Sequence, residues 1–182
     1  MLIVKHIFIM KKVVSLMLLL AAIVTTAVLA SCGNDNDNPS TASVAGVYSG
    51  NDALKFSFQG QDYSTTAVGA KYDISQNKDG SLNIVFPEET FDFSTQVPMV
   101  GKIVQGSYVV KNVPFDKAKN AYYLDYSGTA KADVTVFGKT DNYELTVGEV
   151  TVTFNGSNVK VVNDHKFGKM PFQMCNTFDG AK

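Results

Sequence analysis

Tyr122-Tyr123-Leu124-Asp125-Tyr126-Ser127-Gly128-Thr129-Ala130-Lys131-Ala132-Asp133-Val134-Thr135-Val136 decides the fold class of this chain. Tyr122, Leu124, Tyr126, Gly128, Ala130, Ala132, Val134 and Val136 share one face, while Tyr123, Asp125, Ser127, Thr129, Lys131, Asp133 and Thr135 take the other. A period of two belongs to a pleated strand with one buried face. At ~3.3 Å per residue the run spans about 50 Å, too long for a compact domain to hold straight. Gly128, with small Ala130 and Ala132 beside it, is therefore the predicted bend.

The same period extends in both directions. Leu54, Phe56 and Phe58 alternate with Lys55, Ser57 and Gln59, and Gln59-Gly60-Gln61-Asp62 turns the chain into a strand from Tyr63 to Gln76. There Val68, Ala70, Tyr72 and Ile74 are expected on one face. Asn77-Lys78-Asp79-Gly80 is a hairpin signal leading to Leu82, Ile84 and Phe86. Further strands carry Phe91 and Phe93, and run from Ile103 to Asn112. Past Gly138-Lys139-Thr140-Asp141, the parity of Tyr143, Leu145 and Val147 gives way to that of Val150, Val152 and Phe154, which predicts a bulge at Gly148-Glu149. Asn155-Gly156 turns the chain into Val159 and Val161. No segment after Cys32 shows a helical period. Bent antiparallel strands joined by short turns, about eight to ten of them, predict an all-β meander barrel; a two-sheet sandwich is the alternative.

The amino-terminal segment reads as an address. Lys11 and Lys12 precede an apolar run from Val13 to Leu29, which closes on Leu29-Ala30-Ser31-Cys32. A basic start, an apolar middle and a small-residue cleavage site make a secretory signal, and the cysteine marks a lipoprotein lipidation site. The reading gives residues 1–31 as signal peptide, 32–43 as a lipidated tether and 44–182 as the barrel domain. Met10 opens a complete signal by itself, so both Met1 and Met10 stand as candidate starts. The tether, Gly33-Asn34-Asp35-Asn36-Asp37-Asn38-Pro39-Ser40-Thr41, has too little apolar surface to offset its ordering entropy.

Composition excludes several functions. Three of the sixteen lysines precede Cys32 and none of the seventeen acids does, which leaves thirteen against seventeen, a net charge of −4. With no arginine and no basic excess, nucleic-acid binding is not expected. Cys175 is the only cysteine after Cys32, so no intramolecular disulfide is expected; it reads as a small buried hydrophobe. His165, the only histidine after Cys32, stands beside Asp164 near a predicted strand end and reads as loop polarity. Glu88-Glu89 reads as a solvated loop after Pro87. With no Gly-x-Ser-x-Gly elbow and one histidine, neither catalysis nor a metal or other cofactor is expected.

Two resemblances add to this. The acidic stretch behind Cys32 resembles the export signal of Bacteroides-type lipoproteins, which implies the outer face of a Gram-negative outer membrane. Val44-Ala45-Gly46-Val47-Tyr48-Ser49-Gly50 resembles the opening of the calycin-like (lipocalin-like) β-barrel domains of Bacteroides lipoproteins. Asp79-Gly80, Pro98-Met99-Val100-Gly101-Lys102-Ile103 and Lys111-Asn112-Val113 agree with that family over roughly residues 44–162. The resemblance implies a meander barrel and no activity. True lipocalins open with Gly-x-Trp and pack an Arg on the Trp; here Tyr48 takes the Trp position and no Arg exists.

The expected function is a non-enzymatic, membrane-anchored barrel that binds a small apolar or amphipathic molecule. Its candidate lining is Tyr72, Tyr108, Tyr122, Tyr126, Phe91 and Phe93, rings with a few hydroxyls to orient a guest. The same rings would also serve simply to fill a small barrel. The alternative is a surface module that binds a protein or glycan partner through exposed Tyr123, Phe137, Phe167 and Phe172.

Overall fold

The computed structural model describes residues 43–182; the signal segment, Cys32 and most of the tether lie outside them. The described chain is antiparallel β throughout, without a helix. Its strands are β1 (Gly46–Phe58), β2 (Gln61–Gln76), β3 (Leu82–Phe86), β4 (Glu89–Asp92), β5 (Lys102–Gln105) and β6 (Tyr108–Val113). There follow β7 (Phe115–Asp116), β8 (Ala121–Asp125), β9 (Lys131–Val136), β10 (Lys139–Asn155), β11 (Asn158–Phe167) and β12 (Met174–Ala181).

Hydrogen-bonded neighbours run β4-β5-β9-β10-β11-β12-β1-β2-β3-β6, with β8 joining β10 and β7 joining β8. The two ends of this path are connected through the chain itself. β3 continues into β4 across Pro87-Glu88, and β5 into β6 across Gly106-Ser107. The chain thus joins the two ends of an open ladder, and the curled sheet makes a half-barrel, a barrel-like fold. Among the described residues, two seams of the wall carry no backbone ladder: between the first half of β2 and β4, and between β6 and β8.

Twelve strands appear where eight to ten were expected, because long runs break at bends. Tyr122–Val136 is one such run. It divides into β8 and β9, which pair with the two halves of β10. The bend is at Gly128, whose φ of +72° lies in the left-handed region that a Cβ disfavours. The run from Ile103 to Asn112 also divides, at Gly106-Ser107, so that β5 joins β9 and β6 joins β3.

Bulges move two parity switches. In β2, Gly50 pairs with Ala70 and Asn51 with Val68, so Gly69 is the extra residue. Val68 is consequently 83% exposed, against the expectation that it shares the face of Ala70, Tyr72 and Ile74. In β10 the slip falls between Leu145 and Val147 instead of at Gly148-Glu149. Gly148 then faces inward, and a Cβ there would lie 2.6 Å from the Tyr126 ring. That close approach, rather than a turn, explains the glycine.

The end of the barrel that carries Val44 and Lys182 is the proximal end. Tyr48 donates its hydroxyl to the Val44 carbonyl at 2.7 Å, and Lys182 Nζ stands 5.2 Å from the Tyr48 ring centroid. A lysine just past β12 thus stands over a ring of β1. Toward the distal end, Phe172 stacks on Phe56 with centroids 4.4 Å apart, and Phe93 meets Phe56 edge-on at 4.7 Å. Phe167 and Phe172, expected at the surface, are both buried. Phe167 continues the inward parity of β11, and the turn after β11 folds Phe172 over the distal mouth. Phe137 does remain 46% exposed, at the β9–β10 turn, and Tyr123 is half-buried.

Candidate functional site

Between the proximal layer and the distal rings, the barrel interior turns polar. Asp52, Glu89, Gln105, Asn163, His165 and Asn176 are each at most 6% exposed. Every one occupies an inward position on a strand whose neighbours of the same parity are apolar. Asp52 shares its face with Leu54 and Phe56, Glu89 with Phe91, and Gln105 with Ile103. Asn163 and His165 fall between Val161 and Phe167, and Asn176 between Met174 and Phe178.

Strand register assembles them into a belt. Asn163 of β11 pairs directly with Asn176 of β12, and Glu89 of β4 with Gln105 of β5. Directly opposed residues of an antiparallel pair hold their side chains about 5 Å apart on one face. Across the interior, Tyr72 and Asn176 both donate to Asp52 Oδ2 at 2.7 Å. Tyr126 donates to Asn163 Oδ1 at 2.6 Å, and Asn163 Nδ2 donates to the Tyr108 hydroxyl at 2.8 Å. His165 Nδ1 lies 3.2 Å from the Asn163 carbonyl, and its ring meets Phe167 edge-on.

Burial sets the protonation of these groups. Desolvation, then the hydrogen bond and charge of Asp52, hold the Glu89 carboxyl proton well above the ordinary range. A protonated Glu89 can donate to Asp52, which resolves the opposition of two carboxyls in a dry interior. Desolvation lowers His165 to about 4, so it is neutral at pH 7. Tyr72, Tyr108 and Tyr126 are all raised, chiefly by desolvation, and keep their protons.

The belt is only partly satisfied by the protein. Asp52 Oδ1, both Glu89 oxygens, both Gln105 polar atoms, His165 Nε2 and Asn176 Oδ1 have no geometric hydrogen-bond partner. A protonated Glu89 supplies one bond to Asp52; the other groups still need partners, at about 1–3 kcal/mol for each left without one. Such a set of inward-facing polar atoms suits a small guest or water that bridges them. No lysine among the described residues is buried. Among the same residues, no group of three or more His, Cys, Asp or Glu is placed to hold a metal ion.

Of the residues expected to line a ligand site, Tyr72, Tyr108 and Tyr126 come together in this belt. Phe91 and Phe93 lie on the same wall, distal to Glu89, and are wholly buried. Tyr122 stands apart, half-buried at the proximal mouth against Phe115 and Phe154. Cys32 lies outside the described residues. The loop readings of His165 and Glu89 are corrected: both sit in strands facing the core, because strand parity outweighs the polarity of their sequence neighbours. The described side-chain hydrogen bonds of His165 run to Asn163 alone, and none reaches a serine. Cys175 is half-buried and shares the outward parity of β12. Desolvation and the neighbouring Asp164 raise its thiol to about 11. It borders an open cleft of about 470 Å³ on the outer surface, with Lys55, Ser57, Asp62 and Ser64.

The six buried polar side chains were missed in the sequence reading, although a signal existed. Each interrupts an apolar parity series with a polar residue, as in Val159-x-Val161-x-Asn163-x-His165-x-Phe167.

Among solved structures, a Bacteroides fragilis protein provisionally named an outer membrane protein is similar in fold, with a TM-score of 0.50 and 18% identity. The match covers 76% of this chain and 51% of that one, so the chain spans about half the length of its neighbour. Identity at that level carries the fold alone. No family model matches the chain, and no curated protein matches it.

Proposed function

We propose that this chain is an outer-membrane lipoprotein, anchored through Cys32, whose calycin-like barrel binds a small amphipathic molecule without catalysis. The observation that carries this reading is the belt of buried, unpartnered polar atoms set between two apolar layers. A guest with one polar group and a short apolar body meets both environments. The polar group would complete the hydrogen bonds of the belt, and the body would lie against the ring faces above or below it. The calycin-like assignment is supported by the meander order of the strands and by Lys182 over Tyr48. The envelope location is supported by the signal pattern and by the name of the Bacteroides fragilis neighbour.

Native mass spectrometry of the chain from its own membrane, with displacement of a lipophilic dye, tests the binding reading. A co-purifying small molecule whose release follows dye uptake is the expected result. A chain that carries no guest and takes up no dye would refute the binding.

The alternative is a surface module for a protein or glycan partner, favoured by Met99 and Phe137. They are 61% and 46% exposed on turns at the distal end. On that reading, Phe137→Ser abolishes partner cross-linking on intact cells and leaves dye uptake unchanged.

A further inference from the structure

The chemistry of the belt selects the polar group of its guest. Five of the seven atoms without a geometric partner are oxygens, on Asp52, Glu89, Gln105 and Asn176, and the proton of Glu89 joins one of its own to Asp52; the two nitrogens belong to Gln105 and His165. The interior therefore offers mostly acceptors, and a complementary guest must donate several hydrogen bonds. It also offers two carboxyls and no cationic side chain, since every described lysine is exposed or half-buried and burial keeps His165 neutral at pH 7. An anionic guest would meet the carboxyls with no cation to offset them. A neutral hydroxyl would supply one donor and no charge. The donor geometry for a metal ion is absent among the described residues.

We propose that the belt binds an organic ammonium group, seated against the Asp52 and Glu89 carboxyls with Gln105 and Asn176 as further acceptors. An ammonium brings up to three donors and one positive charge to an interior with few free donors and no cation. The ring of Tyr72, which donates to Asp52, stacks one face on Phe178 at 4.1 Å, and an aromatic face beside a carboxyl favours a cation. The proposal rests on the guest-binding reading and names the chemistry of its polar end.

The proposed entry route is the seam between β4 and the first half of β2. Glu89 opens β4, whose only strand neighbour among the described residues is β5. The facing half of β2 pairs with β1 alone, and Gln96 Nε2 donating to the Ser64 carbonyl at 2.9 Å bridges the gap.

Binding also moves a proton. Glu89 faces Asp52 from β1, Tyr72 from β2 and Gln105 from β5, and it holds its proton at neutral pH. An ammonium that docks as the cation takes the place of that proton. The Glu89 O–H bond breaks, N–H···O bonds form, and one proton leaves to solvent per guest bound. Nothing is oxidised or reduced.

The test uses the full chain in lipid nanodiscs, with empty nanodiscs as the blank. Three probes share a six-carbon body: hexylammonium, hexanol and hexanoate. Isothermal titration is run at pH 7 in two buffers of different ionisation enthalpy. Hexylammonium is expected to bind about tenfold or more tightly than either other probe, with close to one proton released. Glu89→Gln is expected to weaken hexylammonium about tenfold and to remove the proton release, its fold checked by circular dichroism. Equal or tighter binding of hexanol or hexanoate would overturn the ammonium assignment and leave guest binding standing. Hexylammonium binding with no proton release would overturn the carboxyl exchange. Failure of all three probes to bind would refute the guest-binding reading together with the proposal.

Discussion

The distal rings and the polar belt fill the same barrel in opposite ways. At the distal mouth Phe56 touches Phe172, Phe93 and Tyr63, and the rings present almost no polar atoms to one another. Burial there asks only for shape, and each ring adds its area, about 1.5–3 kcal/mol for a full side chain. In the belt, Asp52, Asn163 and Asn176 each carry a desolvation cost that hydrogen bonds only partly offset. A barrel of this size could be filled more stably with leucines. The difference teaches where stability and recognition reside: the rings hold the barrel together, and the belt costs stability in return for a chemically specific interior.

Four measurements can break or sharpen that contrast. Phe56→Ala removes the centre of the distal cluster and is expected to cost about 3–5 kcal/mol in urea unfolding. A loss under 1 kcal/mol would mean that the rings are not the main store of stability. Asn163→Ala strips partners from Tyr108 and Tyr126 and is expected to cost about 2–3 kcal/mol. If the variant were as stable as the wild type, the Tyr108–Asn163–Tyr126 network would be dispensable.

The third prediction has the opposite sign. Unfolded Glu89 ionises near its ordinary value of 4.5, whereas the folded chain keeps the proton to much higher pH. Between those values the folded state binds one more proton than the unfolded state, so this group makes stability fall as pH rises. The slope is at most about 1.4 kcal/mol per pH unit. His165 acts in reverse: lowered to about 4 from 6.5, it withdraws stability as pH falls from 6.5 to 4. The two slopes oppose each other between 4.5 and 6.5, and only that of Glu89 remains above. Glu89→Gln is therefore expected to raise the melting temperature at pH 8 and to leave it nearly unchanged at pH 4. A variant less stable than wild type at pH 8 would contradict a protonated, costly Glu89.

The smallest effect lies outside the barrel. Cys175→Ser replaces a half-buried thiol on the outer face and is expected to change stability by less than about 0.5 kcal/mol. Since its thiol is raised to about 11, maleimide labelling at pH 7.5 should be much slower than for free cysteine. Rapid labelling would show that the thiol is not held in its protonated form.

Much of this was legible in the chain, for identifiable reasons. Alternation from Tyr122 to Val136 predicted the strand face, and Gly128 predicted the bend. Both follow from local sterics and a period that a pleated strand imposes on any sequence. The bulge in β10 was foreseen from its parity switch, two positions from where it occurs, because several residues near Gly148 could absorb the slip. Val68 was misplaced because Gly69 gives no side chain to reveal the extra residue.

Local pattern by itself determined the all-β class, most of the strand faces and the turns. Only the tertiary structure decided that Asp52, Glu89, Asn163, His165 and Asn176 meet in one belt. Each is a lone polar interruption on its own strand, and what gathers them is the register of strands far apart in the chain. Asn176 donates to Asp52 across 124 positions. The protonation of Glu89 follows from the same meeting, since a carboxyl has no reason to keep its proton until folding removes the water and brings Asp52 against it.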